Sequence, residues 1–122
     1  MDADVRSFIT SAFPSVWSLE LLLQLKASPE RAFTAEELVT TLRASDVVVT
    51  RSGQALIAAG LVVEEAEGAL RYAPASPELD SLATRAEDVY RLKPDKVRRA
   101  IVGATPNELN AFADAFKLRR DK

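Results

Sequence analysis

Apolar residues open the chain at Val5, Phe8, Ile9 and Ala12, spaced i, i+3, i+4, i+7, and so share one face of a short helix that Pro14 ends. Ser15 caps a second helix running to Leu25 or Lys26. Its apolar residues, Val16, Trp17, Leu19, Leu22, Leu23 and Leu25, spread too widely for one stripe, which predicts a helix surrounded by other elements. SPERAF connects it to a third helix of about two turns carrying Leu38, Val39 and Leu42, where Thr34 and Glu37 form a capping box.

Ala44 and Ser45 make a tight link, and Ser45 or Asp46 caps a fourth helix that runs until Gly60 supplies a left-handed stop. Leu61, Val62 and Val63 then begin a strand, EAEG turns, and Ala69 to Ala73 returns as its partner. Two short helices joined by a tight turn and followed by a hairpin predict a winged helix-turn-helix. Beyond Pro74 and Pro77, Leu79, Leu82, Ala86, Val89 and Tyr90 recur at helical spacing from Glu78 to about Leu92. Pro94 interrupts, and a further helix carries Val97, Ile101 and Val102 to Gly103. Thr105-Pro106-Asn107-Glu108 starts a last helix with Leu109, Phe112, Ala113 and Phe116 on one face, ending in LRRDK.

The expected fold is mainly α (α+β): an N-terminal helix over 1–13, a winged helix-turn-helix with a two-stranded wing over 14–75, and a C-terminal helical segment for dimerisation or docking over 76–122. A chain of 122 residues has room for one such core and not for two independent ones.

Composition narrows the chemistry. The chain contains no cysteine and no histidine, which removes disulfides, thiolate or imidazole metal sites, cysteine nucleophiles and the usual general base. No Gly-rich phosphate loop is present, and the remaining Ser, Lys and carboxylate side chains fall at no recognisable catalytic spacing, so neither an enzyme nor a cofactor is expected. The first residues, MDADVRSFIT, are acidic and mixed, and no apolar run approaches the roughly 18 residues of a membrane span. A soluble cytoplasmic protein that uses no membrane is the expectation.

The net charge of −2 hides an asymmetry: residues 1–90 hold 7 basic and 14 acidic residues, and 91–122 hold 9 basic and 4 acidic. A basic end on an acidic body can bind nucleic acid or an acidic partner, or can fold against that body. LKPDKVRR and KLRRDK are thus either phosphate contacts, adding affinity without sequence choice, or cationic helix ends that complement their own dipoles.

Val49-Thr50-Arg51, then Leu56, then Gly60-Leu61-Val62 resembles the recognition helix and strand entry of winged-helix bacterial transcription regulators, most closely the MarR family. The resemblance extends from roughly Ser15 through Tyr72, with TAEELVTTL similar to the first helix of that family's helix-turn-helix. It implies a DNA-binding transcriptional regulator whose flanking helices form a homodimer, and it places Thr50 and Arg51 at the major groove. The helical geometry agrees: with Val49 and Leu56 inward, Thr50, Arg51, Gln54 and Val47 point outward. Arg and Gln suit bidentate contact with guanine and adenine edges. Thr can bond a phosphate or pack on a thymine methyl.

The chain departs from the family pattern in three places. Gly53 stands where an apolar residue is usual and costs roughly 1 kcal/mol of helix propensity, so the helix bends there or another side chain presses close. Val47, Val48 and Val49 cannot all be buried. The wing carries Glu64, Glu65 and Glu67 where an Asp and a backbone-gripping Arg are usual, leaving Arg43 and Arg71 as the nearest cationic replacements.

Each candidate has a plainer reading. Arg51 can be a solvated arginine or pair with Asp46 or Glu65. The wing glutamates suit a solubilising tip better than a cation site, lacking a Gly-containing ligand loop. The second helix's leucines, with Trp17, Tyr72 and Tyr90, can line a small-molecule pocket of the kind the resemblance implies, or can simply be core. The alternative function is a winged-helix protein interaction module of the transcription machinery that binds no DNA and meets its partner through exposed Val47 and Val48, the low-charge helix and the acidic wing.

Overall fold

Local capping sets the beginnings of the helices. The computed structural model describes residues 1–104, so the helix expected from Thr105 lies outside the described residues. Asp2 caps α1 (Ala3–Ala12) by accepting from the Val5 amide at 3.0 Å. Ser15 and Ser18 cap each other's amides at the start of α2 (Val16–Lys26). Thr34 and Glu37 form the expected reciprocal box on α3 (Ala35–Leu42). Of the two candidates for α4 (Asp46–Ala58), Ser45 is the cap, accepting from the Val48 amide at 3.2 Å.

Gly60 ends α4 with φ of +77°, and the Leu61 amide reaches back to the Leu56 carbonyl while Gly60 bonds Ile57, the paired closure that a left-handed residue permits. The chain leaves in the strand direction as β1 (Val62–Glu64), turns through a 3-10 segment (Ala66–Gly68) and returns antiparallel as β2 (Leu70–Tyr72). Val62 faces Tyr72, Val63 faces Arg71 and Glu64 faces Leu70. Ser76 then caps α5 (Pro77–Leu92), with proline in its first turn, and α6 (Pro94–Ala104) follows. The described residues thus form a mainly helical α+β structure of six helices and one two-stranded antiparallel sheet.

α2 is the centre. Leu19, Leu21, Leu22 and Leu25 have no exposed surface, and the helix packs on α3, α4 and β2 as well as on α6. The terminal helices α1, α5 and α6 pack on one another, consuming the apolar faces of Val5, Phe8, Ile9, Ala83, Ala86, Val97 and Ile101. Phe13, Leu21 and Ala83 are core residues that the helical stripes omit, whereas Trp17 and Val102, placed on apolar stripes, are 41% and 58% exposed. Leu19, Leu21, Leu22 and Leu25 of α2 are therefore core residues. Among the described residues no single helix is long and apolar enough to cross a membrane.

One strand contact joins distant parts of the chain. Phe33 in the SPERAF connector exchanges both backbone hydrogen bonds with Leu70, at 2.8 and 2.9 Å, so β2 is paired on both sides. The Leu70 side chain lies over Gly53, where a Cβ would come within 2.8 Å of its Cδ1. Of the two roles open to this glycine, close approach is the one observed.

Polar ties bind the hairpin to the terminal helices. The Tyr72 hydroxyl donates to Asp80 at 2.7 Å, and Lys26 pairs with Glu87 at 2.9 Å while lying 5.9 Å from the Tyr72 ring centre. Tyr90 donates to Glu20, and Arg98 donates to the Tyr90 hydroxyl at 3.2 Å. Both tyrosines are anchored structural residues.

Two measurements test this packing. Gly53→Ala alone should gain no stability, but in a Leu70→Ala background it should stabilise by about 1 kcal/mol, the propensity difference released once the clash is gone. Strictly additive effects in denaturant unfolding would disprove the close approach. Burial, then the Asp80 carboxylate, push the Tyr72 phenol above its ordinary 10.0, so the fold favours the neutral form. The associated stability is complete below that value and lost as pH rises beyond it; unfolding midpoints should fall between about pH 10 and 11, less steeply in Tyr72→Phe.

Candidate nucleic-acid interface

The outward face of α4 follows from its inward one. Val49, Ser52, Gly53 and Leu56 are buried, so Val47, Thr50, Arg51, Gln54 and Ile57 form the opposite, exposed stripe. Of the three opening valines Val49 is buried, Val48 is half-buried and Val47 is 59% exposed. The valine pair considered for a partner contact is therefore split, and Ile57, 37% exposed, is the other apolar residue on the stripe.

Thr50, Arg51 and Gln54 share the exposed stripe of α4, while Arg43 and Arg71 belong to other elements. Arg43 sits in the turn before α4 with φ of 54°, a left-handed conformation for a non-glycine residue. Arg71 is on β2, where its Nε donates to Glu65 across the hairpin at 2.8 Å. That pair occupies Glu65, and Arg51 has neither Asp46 nor any other carboxylate within ion-pair distance among the described residues. Arg43 and Arg51 are thus the unpaired cations between α3 and β2.

The surroundings are acidic. Residues 35–72 contain 3 basic and 6 acidic side chains, a net −3. A groove of about 230 Å³ runs between α4 and the hairpin, with Val49, Gly53 and Leu70 below and Thr50, Gln54, Ile57, Glu64 and Glu67 around it. Sequence reasoning missed this groove because it needs the Leu70 contact to set the hairpin against α4. Glu67 and Gly68 both take positive φ at the tip, 60° and 77°. Among the described residues no three carboxylates converge to hold a metal ion.

The described part of the basic segment folds against the rest of the chain. Arg91 pairs with Glu87 and Asp88 and Arg98 with Asp95, all within α5 and α6, while Lys93, Lys96 and Arg99 have no ion pair among the described residues. α6 packs on α1, α2 and α5, whereas α4 packs on α2, α3 and β1. The basic run KLRRDK lies outside the described residues.

A second hollow, of about 650 Å³, opens between α1 and the start of α5, lined by Ser7, Phe8, Ser11, Glu78, Leu82 and Arg85. Trp17, Tyr72 and Tyr90 do not line it. No protein-family model, curated protein or solved structure matches the chain.

The left-handed arginine gives a test of the turn. Arg43→Gly should stabilise the fold by about 0.5–1 kcal/mol through relief of the conformation that L-residues disfavour. Arg43→Ala, which removes the same charge without relief, should not; equal thermal midpoints for the two variants would show that the backbone there is unstrained.

Proposed function

We propose that the chain is a winged helix-turn-helix transcriptional regulator of MarR-like type, with α3 and α4 as the helix-turn-helix and the β1–β2 hairpin as its wing. The observation that carries this reading is Arg51, exposed beside Thr50 and Gln54 on the open stripe of α4 with no carboxylate paired to it among the described residues. In the major groove Arg51 would bind a guanine edge, Gln54 an adenine edge, and Thr50 a phosphate or thymine methyl. Arg43, at the turn, would reach a phosphate. Glu64 and Glu67 of the wing border the groove that Thr50 and Gln54 line and oppose phosphate, so they weaken the grip on DNA, and Arg71 contributes only if it leaves Glu65. A homodimer through the terminal helices belongs to the same reading, with Leu92 and Val102 as apolar residues left exposed for it. Such a regulator works in the cytoplasm.

A second reading is favoured by the net −3 of residues 35–72 and by exposed Val47. It makes the same face a protein interaction module of the transcription machinery that does not bind DNA.

Salt dependence separates the two. With Arg43 and Arg51 as the available cations on this face, log K against log salt should fall with a slope of only roughly −2 per protomer. Arg51→Ala should weaken binding by about 1–3 kcal/mol and relax preference at one base pair. Fluorescence anisotropy with random duplexes and DNA upstream of its own gene would sink the regulator reading if no binding occurred at about 50 mM salt.

A further inference from the structure

We infer that the groove between α4 and the hairpin binds a segment of a partner protein that presents an apolar side chain flanked by lysine or arginine. The floor is apolar and preformed: Val49 and Leu70 are buried beneath it, and Gly53 leaves the helix surface without a side chain. Its volume of about 230 Å³ is below the roughly 300 Å³ at which pockets for whole small ligands begin, so it suits a side chain of a larger molecule.

The rim selects the charge of that molecule. Glu64 and Glu67 line the groove, are exposed and have no ion pair among the described residues, whereas the third hairpin glutamate, Glu65, is held by Arg71. Two unpaired carboxylates above an apolar floor attract a cationic segment and repel phosphate. At the tip a Cβ on Gly68 would meet nothing within 4 Å, so the entrance is open on that side. Thr50 and Gln54 on the opposite wall can bond the backbone of an incoming segment. The inference does not rest on DNA binding; because both would use Thr50 and Gln54, a seated segment and a base edge exclude one another.

The four glycines make the site legible by amide NMR. Gly53 and Gly68 line the groove, while Gly60 and Gly103 do not. The full chain, without DNA, is titrated with a short synthetic peptide alternating leucine with lysine and arginine, and separately with the same peptide carrying glutamate at its basic positions. Saturable shifts are expected at Gly53 and Gly68 and not at Gly103, with the basic peptide only. Glu64→Gln with Glu67→Gln should weaken binding by about tenfold at low salt, two exposed ion pairs' worth, while leaving the thermal midpoint in place. Arg51→Ala should leave the peptide affinity unchanged and lower that for DNA, so either reading can fail alone. Absence of saturable shifts, equal response at Gly103, equal binding of the acidic peptide, or unchanged affinity in the double variant would each overturn the inference.

Discussion

Leu70 is the contact on which the α4 side of the protein depends. Its backbone is bonded in both directions to Phe33, its strand pairs with β1 through Glu64, and its side chain occupies the space left by Gly53. Phe33 in turn directly precedes Thr34, the cap of α3. One residue therefore fixes the hairpin, the start of α3 and the middle of α4 relative to one another. Any larger residue at position 53 would press on the Leu70 side chain and intrude on the floor of the groove whose walls carry Thr50, Gln54, Glu64 and Glu67.

Electrostatics divides the molecule in a way that net charge does not reveal. Lys93, Lys96 and Arg99, without ion pairs among the described residues, lie on or beside a helix that packs on α1, α2 and α5, while the exposed stripe of α4 carries Arg51 as its single charge beside an acidic hairpin. The candidate recognition surface consequently has little long-range attraction for a polyanion, and affinity there must come from short-range fit. Arg51 supplies the one strong directional donor on the stripe. Glu65, a carboxylate that could have paired with it, pairs instead with Arg71.

Much of this architecture was legible in the residues because it is local. The Thr34–Glu37 box, the Ser15 cap and the Gly60 stop each need only a few neighbours in sequence, and each appears where its residues place it. The outward stripe of α4 was legible for the same reason, since Val49 and Leu56 orient it. What stayed hidden needed tertiary contact. Nothing in SPERAF announces that Phe33 will pair with Leu70, and Gly53 could be read as a bend until Leu70 was seen above it. Periodicity placed Trp17 and Val102 on apolar faces but could not say whether anything would cover them. Whether Arg51 or Arg71 would be taken by a glutamate depended on the hairpin register, which set Arg71 within reach of Glu65.

The hydrogen bond from Tyr72 to Asp80 has a dynamic consequence. Strands of three residues would ordinarily fray on their own, opening far more often than the helices around them. Here the last residue of β2 is bonded to α5, its ring lies beneath Lys26 of α2, and Lys26 is paired with Glu87 one face further along α5. Opening the hairpin therefore requires breaking its hold on two helices. The hairpin amides near Tyr72 should exchange with solvent at the pace of the α2–α5 unit, while those at the Glu67–Gly68 tip exchange freely, making the base of the hairpin part of the core and its tip part of the surface.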